Sequence, residues 1–228
     1  EFRRVLFRSP HKDGVVLGLS KMNKILSIDP DNRVAQVQPG VRNLAISNAA
    51  KPHGLYYAPD PSSQIACSIG GNVAENAGGV HCLKYGLTVH NVLGVRVLTS
   101  DGDVMEIGGA LYDNPGLDLL ALLCGSEGML GIVTQVTVAL LPEPEKKSVI
   151  LAGFKQVTDA GNAVASIIGA GIIPAGMEMM DKLAVQAAEQ FAHAGYPLDA
   201  AAIMIIELDG AEAELSAVTA QVIDHLNA

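Results

Sequence analysis

Residues 68–79 read S-I-G-G-N-V-A-E-N-A-G-G, and the reading of this stretch decides the fold. Four glycines, two asparagines and two alanines fall within twelve residues, and Glu75 carries the only charge. Glycine costs stability inside a helix or strand, so this density marks backbone placed where side chains would obstruct. The stretch has neither G-x-G-x-x-G between a strand and a helix nor G-K-[ST], so the two common glycine-loop mechanisms for phosphate do not apply. It lies in a tract, 52–86, that reads as mostly irregular, and such a tract inside a compact domain is usually functional.

Upstream, Val15–Leu19, Ile25–Ile28 and Val34–Val37 read as short strands, with D-P-D-N at 29–32 as a turn, and Val41–Lys51 has a helical stripe. Downstream, Val92–Leu98 and Val104–Ile107 form a hairpin through S-D-G-D at 100–103. A helix over Leu117–Leu123 and a long strand over Ile132–Leu141 follow. Prolines and consecutive charges in P-E-P-E-K-K, 142–147, mark a domain boundary. Beyond it the pattern is regular: strand 148–154, helix 158–170, strand 174–180, helix 181–193, strand 201–208, helix 211–226. The fold class is α+β: a first domain with a mixed, mostly antiparallel sheet and flanking helices, then a sheet covered by helices on one face.

The chain has 228 residues and a net charge of −9, which argues against nucleic acid or anionic lipid as a partner. The uncharged stretch Gly128–Pro142 is fifteen residues and suits a buried strand, not a transmembrane segment. The opening E-F-R-R-V-L-F-R-S differs in composition from everything after it, and residues 1–10 read as a non-native scar. Cys67, Cys82 and Cys124 are widely spaced and read as buried free thiols. The histidines show no metal-ligand spacing, so no metal is expected.

Three segments could carry chemistry. Residues 68–79 offer bare backbone N–H and C=O groups and two carboxamides, a set suited to a flat heteroaromatic such as an isoalloxazine, or alternatively a tight crossover loop under a sheet. G-S-E-G-M-L-G-I-V-T, 125–134, places glycines before an apolar strand with Glu127 as an acceptor, and alone reads as a helix C-cap and turn. Y-Y-A-P-D-P-S-S, 56–63, alone reads as a surface turn.

Taken together, P-D-P-S-S, I-G-G-N-V-A-E-N-A-G-G, L-K-Y-G-L-T-V-H-N-V-L-G and G-S-E-G-M-L-G-I-V-T resemble the vanillyl-alcohol oxidase type FAD-binding family. Within it they are most similar to the flavin subunits of bacterial glycolate oxidase and to D-lactate and D-2-hydroxyglutarate dehydrogenases. The resemblance covers about residues 13–228 and implies FAD as cofactor. It implies an FAD-binding domain over 11–146 and a cap domain over 147–228. It places Pro59, Asp60, Ser62 and Ser68 along the cofactor, and Gly70, Gly71, Asn72, Asn76, Gly78 and Gly79 against the flavin and ribityl chain. Tyr85, Gly86, Glu127, Gly131, Ile132 and Val133 would line the remaining wall. Residues 59–79 and 125–133 should then line one cleft.

The activity implied is oxidation of a small 2-hydroxy acid, of glycolate or D-lactate type, to the 2-oxo acid by hydride transfer to flavin. Implied partners are a second flavin-domain subunit and an iron–sulphur subunit. The implied location is the cytoplasm, with a peripheral place at the inner membrane where partner subunits supply it. The family's glycine-rich pyrophosphate loop and its histidine-rich H-x-G-D-G-N-x-H segment do not occur here, so the sequence reads as an internal piece of such an enzyme. No catalytic residue is assigned, and the piece alone is expected to be nearly colourless and inactive. Two other readings are a non-catalytic flavin-binding companion subunit and an aryl-alcohol or sugar oxidase on the same domain.

Overall fold

The computed structural model of the protein describes residues 13–111 and 116–227. In chain order the strands are β1 (Ile25–Asp29), β2 (Val34–Val37), β3 (Leu55–Tyr56), β4 (Val92–Leu98), β5 (Val104–Gly108), β6 (Ile132–Ala139), β7 (Leu141–Pro142), β8 (Lys146–Phe154), β9 (Gly176–Asp181) and β10 (Ala202–Gly210). The helices are α1 (Asn43–Ala50), α2 (Ile69–Glu75), α3 (Cys82–Tyr85), α4 (Thr88–Asn91), α5 (Leu119–Leu123), α6 (Val157–Gly169), α7 (Lys182–Ala192) and α8 (Glu212–Asn227).

The chain divides into two compact units. One runs through Gly79 and resumes over Gly86–Pro142; the other takes Val80–Tyr85 and the chain from Glu143 onward. The first unit holds a five-stranded sheet in the order β1-β2-β6-β4-β5 and the small β3-β7 pair, and every pairing is antiparallel. Its core gathers Val37, Val95, Val97, Val136 and Val138 from the sheet against Ile46 of α1, Ile69 and Val73 of α2, and Leu120 and Leu123 of α5. These are the inward positions of strands with period 2 and the apolar stripes of short helices. Tyr57 is buried beside Thr88, and that burial pushes its hydroxyl well above the usual tyrosine range.

The second unit is a three-stranded antiparallel sheet in the order β8-β10-β9. Ala202, Met204, Ile206 and Leu208 alternate along β10 on one face, where they pack against Ala160, Ala163 and Ile167 of α6 and Leu215 and Val222 of α8. Asp181 starts α7 by accepting from the amide of Ala184, and His193 ends it in the left-handed region.

Two local expectations are corrected. Val15–Leu19 is not a strand: Val15, Val16 and Leu17 are 96%, 71% and 62% exposed, and no ladder partner exists for them among the described residues. Apolar β-branched composition supplies propensity, but a strand also needs a neighbour to satisfy its backbone. The tract 52–86 is less irregular than its composition suggests, since it contains β3, α2 and α3. Ser68 and Asn76 are the capping residues that permit α2 despite Gly70 and Gly71.

Of the three cysteines, Cys124 is buried while Cys67 and Cys82 are half-buried, short of the full burial expected for all three. Burial pushes the Cys124 thiol up to about 11 from an ordinary 9.0. The folded state therefore keeps a proton that the unfolded chain releases, and this contribution to stability is full below about pH 9 and is lost as pH rises through about 11. Cys124 is expected to resist an aromatic disulfide reagent at pH 8 while Cys67 and Cys82 react, as mass spectrometry of modified peptides will show. Ile206→Ala is expected to cost about 2–5 kcal/mol in urea denaturation, because it opens a cavity under α6 and α8.

Candidate functional site

The glycine-rich stretch folds back on the loop before α1 through its own backbone. Ile69 N–H donates to Val41 O at 2.8 Å, Gly70 N–H to Pro39 O at 2.8 Å, Gly71 N–H to Ser68 Oγ at 3.4 Å and Asn72 N–H to Ser68 O at 2.9 Å. The amides expected to stand bare at 69–72 are thus committed within the protein. This corrects the expectation that they are free for a ligand: the first turn of a helix has donors to spare only until neighbouring carbonyls take them.

The carboxamides are committed as well. Asn72 is 3% exposed, and its Nδ2 donates to Asn43 Oδ1 at 2.8 Å; Asn43 is fully buried and donates in turn to Pro59 O at 2.8 Å. Asn76 takes φ +51° at the end of α2, and its Oδ1 accepts from Val89 N–H at 3.0 Å. Ala77 O receives both the amide and the hydroxyl of Thr88, at 3.0 and 2.7 Å.

The glycines fall into two groups. A Cβ on Gly70 would stand 2.6 Å from Pro39 Cβ, on Gly79 2.3 Å from Asp60 Oδ1, on Gly86 2.8 Å from His90 Nδ1, and on Gly131 2.5 Å from Val97 Cγ1. At these four positions the missing side chain makes room for protein. Gly71 is different: it is exposed, and an added Cβ would meet only Ser68 Oγ at 3.4 Å. Gly125 and Gly128, both in the left-handed region, are likewise open, Gly125 meeting only Asn76 Cβ at 3.4 Å and Gly128 nothing within 4 Å.

The second predicted segment does meet the first. Gly125 N–H donates to Val73 O and Glu127 N–H to Ala74 O, both at 2.8 Å, which fastens the 125–127 turn to the C-terminal half of α2. Glu127 is exposed at φ +54°. Ile132 and Val133 open β6 opposite Leu98 and Val97, half-buried. Pro59 is buried, Asp60 half-buried against Gly79, Ser62 exposed, and Gly78 half-buried between Ala77 and Gly79. Tyr85 lies in the second unit, where its hydroxyl donates to Asp209 Oδ2 at 2.7 Å. Sequence reasoning missed Asn43, Thr88 and Pro39. Nothing in the local pattern marks them: Asn43 shares α1 with Ser47 and Asn48, and composition does not single it out.

Residues 4–108 match the model of an FAD binding domain, and residues 143–228 match that of the C-terminal domain of FAD linked oxidases. The chain belongs to the FAD-linked oxidases. FAD is the cofactor of that family, and the open backbone at Gly71, Gly125 and Gly128 fits the approach of a flat ring system. Glycolate oxidase subunit GlcD of Escherichia coli strain K12 is 63% identical over 206 residues, 90% of this chain and 41% of that protein. GlcD of Bacillus subtilis is 45% identical, over 88% of this chain and 43% of its own length, and a D-lactate dehydrogenase of Archaeoglobus fulgidus is 38% identical, over 79% and 40%. The chain spans about two fifths of the length of these relatives. Among solved structures, alkyldihydroxyacetonephosphate synthase shares the fold, with TM-score 0.79 at 22% identity over 91% of this chain and 40% of that one. No helix among the described residues is long and apolar enough to cross a membrane.

Gly70→Ala and Gly71→Ala test the division of the glycines. The first is expected to destabilise by about 1–3 kcal/mol through collision with Pro39. The second is expected to be neutral, or stabilising by up to about 1 kcal/mol, because alanine is the better helix former and space is open. Paired urea titrations of the two variants read the difference.

Proposed function

We propose that this chain is the flavin-holding part of an FAD-dependent oxidoreductase of the glycolate oxidase type, which converts a small 2-hydroxy acid to the 2-oxo acid. The observation that carries the reading is the 63% identity to GlcD across 90% of the chain. D-lactate and D-2-hydroxyglutarate dehydrogenases among the other relatives support 2-hydroxy acids as the substrate class. The matches over 4–108 and 143–228 support an FAD-binding domain over 11–146 and a cap domain over 147–228.

When bound, FAD supplies the acceptor that takes the α-hydrogen of the substrate as hydride. The residues proposed to touch it are Gly71, Gly78 and Asn76, with Glu127 and the turn 125–128. Asn72, Gly70 and Gly79 support them from behind through Asn43, Pro39 and Asp60. No residue of this chain is proposed as the base that takes the hydroxyl proton. The proposed partners are the 2-hydroxy acid, a second flavin-domain subunit and an iron–sulphur subunit, with any membrane association coming through those subunits.

The test is dye reduction by the FAD-loaded protein, expressed over its whole reading frame, with glycolate, D-lactate, D-2-hydroxyglutarate and L-lactate. Turnover and anaerobic bleaching of the flavin with at least one of the first three are expected. Flavin that stays oxidised with every one of these acids defeats the reading. Gly71→Ala is expected to weaken FAD binding by about tenfold in a fluorescence titration, because the methyl group occupies space proposed for the cofactor.

A further inference from the structure

The turn at 59–63, the exposed backbone of Gly71 and the 125–128 turn all belong to the first unit, and they are joined to one another by different kinds of bond. The 125–127 turn is fixed to α2 by backbone alone, through Gly125 N–H to Val73 O and Glu127 N–H to Ala74 O. Gly71 lies in α2 itself, directly before Asn72. The turn at 59–63 is attached through a side chain: Pro59 O accepts from Asn43 Nδ2 at 2.8 Å, while Asn43 Oδ1 accepts from Asn72 Nδ2, also at 2.8 Å. One carboxamide therefore stands between the turn that carries Asp60 and Ser62 and the helix that carries Gly71, with one bond to each. Asn43 is fully buried and Asn72 is 3% exposed, so both side chains are closed to a ligand and neither has water to replace its partner.

We infer that Asn43 is a positioning residue for the proposed flavin site: its carboxamide sets the spacing between the turn at 59–63 and the open backbone of α2, and through α2 the spacing to the 125–128 turn. The inference rests on the reading of Gly71 and 125–128 as cofactor wall. A carboxamide is planar, with its donor and its acceptor at fixed places, so when both are bonded the two segments keep one separation. Without it, Pro59 O and Asn72 Nδ2 lose their partners in the interior, and both segments must move to satisfy them. The surrounding core does not impose the same constraint. Ile46 of α1 packs with Ile69 and Val73 of α2, but apolar contact is non-directional, whereas a hydrogen bond weakens steeply with displacement. Ser47 Oγ accepts from Tyr57 N–H at 3.0 Å and Leu44 N–H donates to Gln64 O at 3.1 Å; these bonds fasten the 57–64 loop to α1, and neither touches α2.

The experiment uses the FAD-loaded protein over its whole reading frame and compares Asn43→Ala, Asn72→Ala and the double variant with Ile46→Val, which trims α1 inside the same core. Melting temperature, FAD affinity by fluorescence well below every melting temperature, and the visible circular dichroism of the bound flavin are measured for each. A lowered melting temperature is expected in all four. The FAD dissociation constant is expected to rise roughly tenfold in Asn43→Ala and less in Asn72→Ala, with altered flavin dichroism in both, while Ile46→Val keeps the affinity and dichroism of the unsubstituted protein. The double variant is expected to be no worse than Asn43→Ala, because the two side chains share one bond. Asn72→Ala spares the bond to Pro59 and keeps the test valid where Asn43→Ala does not fold. Unaltered FAD affinity in the asparagine variants overturns the positioning role, and so does unaltered dichroism, since affinity lost without a change around the ring marks destabilisation alone. Additive effects in the double variant overturn the link between Asn43 and Asn72. An unsubstituted protein that binds no FAD overturns the flavin reading and this inference with it. That failure is recognisable on its own, because the melting temperatures of the asparagine variants still report the shared bond.

Discussion

A single buried carboxamide, that of Asn43, is the constraint on which the first unit depends. It accepts from Asn72 and donates to Pro59 O, and the backbone N–H of Asn43 donates to Cys67 O at 3.1 Å, so α1, the turn at 59–63 and α2 are tied at one residue. An amide left unpaired in an apolar interior costs about 1–3 kcal/mol, so each of these segments is held to the others by the penalty of letting go. The neighbouring bonds Ile69 N–H to Val41 O and Leu44 N–H to Gln64 O repeat the connection in backbone. The 125–127 turn is then laid on the far end of α2, with no further side-chain partner required.

This arrangement gives the glycine content a double meaning. A glycine can make room for a ligand or for the protein itself, and composition does not distinguish the two. At Gly70, Gly79, Gly86 and Gly131 the space is taken by Pro39, Asp60, His90 and Val97, so these glycines let layers of the protein approach one another. At Gly71, Gly125 and Gly128 the space is open. The amides of 69–72 are already satisfied internally, so the backbone exposed there presents shape more than unmet donors.

The second unit resolves its electrostatics differently. Burial raises the Glu207 carboxyl, but Lys147 and His81 outweigh it and hold the group below the usual carboxylate range. Its contribution to stability is therefore present above the ordinary carboxylate pKa and is lost as pH falls through the lowered one. Exposed pairs such as Lys146 with Glu212 add little by comparison, since water screens them. The acidic net charge of −9 thus conceals a local balance in which β10's carboxylates are matched by Lys147 of β8 and Lys84 of α3.

The sequence by itself determined the alternation of strands and helices from 148 onward, the 92–98 and 104–107 hairpin, and the family, because period-2 and period-3.6 patterns, turn residues and ordered motifs are local properties. Ser68 and Asn76 were in view as cofactor residues, while their role as the caps of α2 emerged only with the fold. Tertiary structure alone decided that Val15–Leu19 is no strand, that Asn43 is a hub, that Tyr85 turns to Asp209, and which glycines face protein. Each of these depends on a partner remote in sequence: 29 residues separate Asn43 from Asn72, and 124 separate Tyr85 from Asp209. A hydrogen bond or steric contact of that range is fixed only when the chain closes on itself, so no local pattern can announce it.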